Sequence, residues 1–221
     1  MASAFVSWSC GKDGALALHE VRSHLEVSGL LTTVTDGVVA MSRVPVACLH
    51  AQADALRLPL QTVELPWPCP NETYEALTGR ALADLRADGV DELIYGDLFL
   101  ADIRAYRERA LDGTGLAARF PLWGRPTAAL AHEMLAAGLR AVVVCVDPSQ
   151  APPEIVGRVW DHELLRDLPQ DVDPCGENGE FHTFVTDGPG FAHPLDAAAG
   201  EPYDRDGFRY VPLALRGPST G

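Results

Sequence analysis

Segments of apolar strand type alternate almost throughout this chain with segments of helical period, and that alternation restricts the fold more than any other feature. Strands separated by helices read as a parallel sheet with crossover helices, because parallel neighbours cannot be joined by a tight turn. Strands are expected at residues 4–9, 30–35, 60–65, 91–95, 119–123, 140–146 and 181–186. Helices are expected at 13–27, 46–56, 103–111, 127–137 and 160–165, with a further one that starts from Asn71 as N-cap and carries Tyr74, Leu77, Ala81 and Leu85 on one stripe. Pro66, Pro68 and Pro70 end the third strand by removing ladder donors, while Gly113, Gly115 and Gly138 close two helices. The fold class is therefore α/β, with a boundary expected near residues 121–126 that divides the chain into 1–125 and 126–221.

Composition excludes several classes. A chain of 221 residues buries roughly 70–75% of its unfolded surface, enough for a core without disulfide or metal. No apolar run approaches the ~18 residues of a bilayer span, and residues 1–9 carry no basic leader, so a cytoplasmic protein without membrane partners is expected. The five cysteines, at 10, 48, 69, 145 and 175, contain no CxxC pair, which fits a reducing compartment and neither a disulfide framework nor a zinc knuckle. The net charge of −14 is shared by both halves, with 11 basic against 16 acidic residues up to Arg125 and 6 against 15 after it. Neither half offers a nucleic-acid footprint. Of the 17 basic residues only Lys12 is a lysine. A compact ammonium reaches a phosphate as a point charge, which singles out that position.

Lys12 lies in Ser9-Cys10-Gly11-Lys12-Asp13-Gly14, between an expected strand and an expected helix. Loop amides and the positive end of a helix dipole together receive anions there. The Walker pattern requires glycine where Val6 stands, so a P-loop NTPase is disfavoured. Taken alone, the loop is equally readable as an ordinary helix start with Asp13 compensating the dipole.

The run from Ser7 to Leu18 resembles the Ser-Gly-Gly-Lys-Asp-Ser loop of PP-loop ATP pyrophosphatases. A second run, Asp173-Pro174-Cys175-Gly176-Glu177-Asn178-Gly179-Glu180-Phe181-His182-Thr183-Phe184, is similar to the Cys-Gly-Glu-x-Gly-Glu motif of diphthine-ammonia ligases and their bacterial relatives. Gly96-Asp97, Asp102, Arg107, Glu108 and Pro121-Leu122-Trp123 fall between them in that family's order, so the resemblance covers about residues 4–191. It implies a Rossmann-like adenine nucleotide alpha hydrolase sheet, with a smaller C-terminal α/β portion that helps form the acceptor pocket. It also implies ATP and Mg²⁺ as cofactors, an adenylated carboxylate as intermediate, AMP and pyrophosphate as products, and ammonia as the amidating partner. The carboxylate is small or protein-borne; a homo-oligomer is compatible with the sequence.

The resemblance assigns the triphosphate to Ser9, Cys10, Gly11, Lys12, Asp13 and Gly14, with Lys12 on the β and γ phosphates. Asp13 is then a candidate Mg²⁺ ligand, or equally a dipole-compensating charge. Asp97 follows a strand's carboxyl end and Arg107 reaches the same cleft, to neutralise phosphate or acceptor carboxylate, or else to form a surface ion pair. Glu177 and Glu180 are candidate catalytic acids that hold ammonia, an amine or a metal; a solvated turn is their alternative. Cys175 has no histidine partner and reads as a pocket-lining thiol. His182 reads as a half-exposed strand residue, and His19, His50, His132 and His162 lack ligand spacing.

Two positions depart from the pattern. Cys10 replaces a glycine, so its Cβ restricts the positive-φ conformations available there, and Gly14 replaces a serine, removing a hydroxyl donor. At Met41-Ser42-Arg43-Val44-Pro45 the bacterial relatives tend to carry Met-His-Gly-Val-Arg, so a histidine is missing. These departures keep a second function open, an adenine-nucleotide-binding protein with weak or no turnover. A third, RNA modification as in other PP-loop proteins, is opposed by the acidity of both halves and the absence of paired cysteines.

Overall fold

The computed structural model describes residues 2–216. Five parallel strands, β1 (Ser3–Ser7), β2 (Glu26–Val34), β3 (Leu60–Glu64), β4 (Glu92–Ile94) and β5 (Ala117–Arg119), form a sheet in the order β3-β2-β1-β4-β5. Helices α1 (Lys12–Val21), α2 (Val46–Leu56), α3 (Asn71–Ala87) and α4 (Ala101–Leu111) make the crossovers. The strand order reverses beside β1, where the chain winds first outward to β2 and β3 and then back to β4. In such a sheet the crevice beyond the carboxyl ends of the two central strands is where ligands bind. Ser9–Gly14 lies beyond the end of β1 and Gly96-Asp97 beyond the end of β4, so topology alone brings these two segments together.

The rest of the described chain forms a smaller α/β portion. Helix α5 (Thr127–Ala136) leads to β6 (Arg140–Val146), which pairs antiparallel with β7 (Val159–Trp160), β8 (Phe181–Asp187) and β11 (Phe208–Tyr210); β10 (Tyr203–Arg205) extends that edge. A short α6 (His162–Asp167) and a two-stranded pair of β9 (Ala197–Ala199) with β12 (Leu213–Leu215) complete it. One buried apolar cluster runs through both portions, from Val6, Leu16 and Leu30 to Leu130, Val144 and Phe184. The Rossmann-like parallel sheet with a smaller C-terminal portion is thus the architecture of this chain.

Several expected bounds shift. α1 ends at Val21 instead of residue 27, and β2 begins at Glu26, because Val27 pairs with Ala4 of β1. Pro70, not Asn71, is the N-cap of α3, and no side chain caps it. The short strand expected at 119–123 is β5, which ends at Arg119, four residues earlier, and is followed by a turn. Trp160 belongs to β7; the helix after it starts at His162 with Asp161 as its cap, accepting from the amides of Glu163 at 3.0 Å and Leu164 at 2.9 Å.

Candidate active site

The crevice holds a cavity of about 420 Å³, within the size range of nucleotide and cofactor pockets. Its walls are Ser9 and Gly11–Gly14, Leu31–Thr33 of β2, the Val39–Ser42 turn, Tyr95–Asp97 beyond β4, Tyr106 and Arg107 of α4, and residues of the second motif from Cys175 to Thr183.

The loop after β1 is held by buried polar groups. Trp8 Nε1 donates to Gln52 Oε1 at 2.8 Å, and Gln52 Nε2 donates to the carbonyls of Cys10 at 3.1 Å and Val185 at 2.7 Å. The Val185 amide also donates to the Cys10 carbonyl, at 2.9 Å, so β8 is stitched directly to the loop. Cys10 adopts φ 64°, the left-handed conformation that its Cβ was expected to discourage, and the side chain is fully buried off the cavity wall against Ser42 Oγ at 3.7 Å. Its thiol is pushed by burial up to about 12, which keeps it protonated. Cys10 therefore shapes the loop without facing a phosphate with its side chain.

Gly11 is the N-cap of α1 and has no side-chain cap; Thr183 Oγ1 accepts the Lys12 amide, which leaves those of Asp13 and Gly14 for an anion. Ser9 stands exposed on the cavity wall. Gly14 lines the cavity in the first turn of α1. Gly96 packs so closely on the loop that a Cβ would lie 2.8 Å from Asp13 C and Gly14 N. No other residue fits there without moving backbone.

Lys12 is only 2% exposed. Its ammonium donates to Asp13 Oδ2 at 2.9 Å and to the Cys175 carbonyl, and sits 5.5 Å from the ring centroids of both Trp160 and Phe181. Burial pulls this ammonium down, but Asp13 beside it, together with Cys175 and Glu177, more than reverses the effect, so Lys12 remains charged. The lysine expected to reach freely for phosphate is engaged with the second motif. Asp13 is correspondingly paired.

Asp97 and Arg107 meet in the cavity wall, Arg107 Nε donating to Asp97 Oδ2 at 3.0 Å. The guanidinium lies 4.7 Å from the Tyr95 ring centroid, and that ring stacks on Phe120 at 5.2 Å. Nε and one face of Arg107 are thereby fixed. Glu177 comes from the other side, its Oε1 accepting from the amides of Leu98 at 2.6 Å and Phe99 at 3.3 Å. Burial pushes its carboxyl up to about 7; those amides oppose the shift, and the Asp13 and Asp97 charges add to it. A carboxyl titrating near neutrality within a cavity is suited to exchange a proton with a substrate.

Glu180 corrects the expectation that both glutamates face the acceptor. It is 3% exposed and absent from the cavity wall; Oε1 accepts from the Asp173 amide at 3.0 Å and Asn178 Nδ2 at 2.9 Å, closing the 173–180 turn on itself. Cys175 is pocket-lining and donates from Sγ to the Thr127 carbonyl at 3.4 Å, and burial pushes its thiol up to about 12. His182 is half-buried on β8, and burial together with Lys12 pushes its imidazole down to about 4, leaving it neutral. Gln52, Thr183 and Trp160 were not singled out by sequence. Thr183 Oγ1 accepts the Lys12 amide at 3.2 Å, and its place inside the second motif was the one available signal.

Among the described residues no group of three potential ligands forms a metal centre. Mg²⁺ keeps several waters and binds through one or two carboxylates plus substrate phosphates; both Asp13 oxygens already accept from Lys12, at 3.2 and 2.9 Å, so Asp13 would hold it through water.

Residues 1–118 match the family model of the diphthamide synthase N-terminal domain, and residues 126–210 match that of the C-terminal domain. The chain belongs to the diphthamide synthase family. Membership supports an ATP-utilising PP-loop enzyme of the ATP pyrophosphatase type, and both motifs that carry it line one cavity. No curated protein matches the sequence. Among solved structures, a chain described as a predicted subunit of tRNA methyltransferase from Methanocaldococcus jannaschii is 15% identical, covering 86% of this chain and 98% of its own with a TM-score of 0.46. No helix among the described residues is long and apolar enough to cross a membrane.

Proposed function

We propose that this diphthamide synthase family member binds ATP with Mg²⁺ between β1 and β4, adenylates a carboxylate and amidates it with ammonia. The observation that carries this reading is the convergence, in one cavity, of an uncapped helix start at Gly11, the Asp97–Arg107 pair and the near-neutral Glu177. Backbone amides of Gly11, Asp13 and Gly14 and the dipole of α1 receive the triphosphate, with Ser9 as hydroxyl donor. Asp13 would hold Mg²⁺, which neutralises phosphate charge when bound. Arg107 directs the acceptor carboxylate, whose oxygen attacks the α phosphorus and expels pyrophosphate. Ammonia then attacks the acyl carbon, AMP leaves with the bridging oxygen, and Glu177 takes the proton released from nitrogen.

Residues 1–125 act as the nucleotide-binding part and 126–221 supply Glu177 to the acceptor side. A cytoplasmic location and a homo-oligomer are both consistent with this chemistry. A second reading, nucleotide binding without turnover, is favoured by one observation: Gly14 offers no hydroxyl at the helix start. Glu177→Gln separates the two. The variant should bind ATP within about threefold of wild type while acceptor-dependent AMP formation falls by about 10²-fold or more, as for loss of an acid-base group. Loss of ATP binding in this variant would move Glu177 into the phosphate shell and overturn its assigned role.

A further inference from the structure

The buried ammonium of Lys12 makes contacts that none of the assigned steps uses. Its three N–H bonds have three kinds of partner: the Asp13 carboxylate, the Cys175 carbonyl, and the faces of Trp160 and Phe181. An ammonium at 2% exposure is stable only with such complete partnering, because desolvating it otherwise costs several kcal/mol. The residue's own amide is spent as well, on Thr183 Oγ1. Every one of these partners except Asp13 belongs to the C-terminal portion.

From Cys175 the connection continues. Gly176 follows at φ 69°, and a Cβ there would lie 2.7 Å from the Phe181 carbonyl, so this turn beside Cys175 requires glycine. The turn brings Glu177 to the amides of Leu98 and Phe99, immediately beyond Asp97. Lys12, Cys175, Glu177 and the 97–99 segment therefore form a chain of contacts around the cavity, beginning at the anion loop and ending at the Asp97–Arg107 pair.

The geometry points to Lys12 as a positioning residue, an interlock that holds the Cys175-Gly176-Glu177 turn against the start of α1 and thereby places Glu177, with the phosphates left to backbone amides. This assignment deepens the ligase reading and rests on it for its kinetic consequence, but not for its structural one. A free phosphate-seeking lysine would be solvent-accessible before nucleotide arrives; this one is enclosed by the acceptor-side motif.

The test uses Lys12→Met in the full chain, which keeps the length and apolar stem and removes the charge. Without nucleotide, hydrogen exchange of amides 173–180 should accelerate by about tenfold or more, since local opening no longer breaks the charge-assisted hydrogen bond from Lys12 to the Cys175 carbonyl. Unchanged exchange overturns the interlock whether or not the protein binds ATP. With ATP, affinity should stay within about threefold, and any turnover should fall in kcat and not in KM for ATP. A ten- to hundredfold loss of affinity with unchanged exchange, the size expected for one charge-assisted contact, would make Lys12 a phosphate ligand instead. Wild type supplies an independent readout should the variant not fold. Lys12 is the sole lysine, so its modification by an amine-reactive reagent is read on a single peptide. Slow modification, equal with and without MgATP, is expected; rapid modification that ATP suppresses would contradict the assignment.

Discussion

Replacing Gly14 by serine should strengthen nucleotide binding. An ideal Cβ at this position lies 3.8 Å from Trp8 Cε3 and 3.9 Å from Cζ3, ordinary van der Waals contact, so the new side chain requires no rearrangement. Gly14 lies within α1, whose N-cap is Gly11, and so occupies the first turn. Glycine there costs about 0.3–0.5 kcal/mol relative to serine through backbone entropy, which predicts a melting temperature higher by about 1–2 °C. The larger effect is on ligand: a hydroxyl donating to a phosphate oxygen contributes about 1.5–3 kcal/mol, equivalent to roughly ten- to a hundredfold in affinity. Calorimetric titration of wild type and Gly14→Ser with MgATP, beside thermal melts of both without ligand, measures the two effects separately. A raised melting temperature with unchanged or weaker ATP affinity would show that the hydroxyl meets no phosphate, and the triphosphate would have to lie elsewhere in the cavity.

Gly96→Ala should lower the melting temperature by about 2–10 °C and weaken ATP binding, because its Cβ would press on the backbone of Asp13 and Gly14; overpacking of this kind costs about 1–3 kcal/mol. Cys10→Gly should be close to neutral in thermal melts: relief of about 1–2 kcal/mol of left-handed strain is offset by a similar loss of buried packing. The folded protein keeps a proton on Glu177 up to about pH 7, whereas the ordinary glutamate value is 4.5. The stability conferred by that proton is full below pH 4.5 and is lost as pH rises to 7, so wild type should lose stability relative to Glu177→Gln across this window, as read by denaturant melts at each pH. Parallel pH profiles for the two proteins would refute the assignment.

The parallel sheet was legible because its strands are short apolar runs and its helices carry a separate period, so β1 through β4 and α1 through α4 stand out. The start of β2 was not, since Gly29 lacks a side chain where the Phe5 ring lies over it; a Cβ there would fall 2.4 Å from Phe5 Cζ. Strands β9 to β12 have three residues each and gain their order from antiparallel partners distant in sequence or from a tight hairpin, too short for any period to show. In the site, the loop and the second motif were readable as residue runs. What the runs could not disclose was direction: Lys12 turns to Cys175, and Glu180 closes its own turn, because residues 173–181 fold back onto α1. Gln52 looks like any polar helix residue until its amide proves fully buried between Trp8, Cys10 and Val185.

The central claim is cleavage of ATP between its α and β phosphates for an acceptor placed by Arg107 and Glu177. Incubation of the protein with ATP labelled at the α position, Mg²⁺, ammonium and a panel of carboxylates, followed by separation of nucleotides, tests it most directly. The account predicts labelled AMP together with pyrophosphate, formed in proportion to one acceptor. Labelled ADP with inorganic phosphate would contradict it.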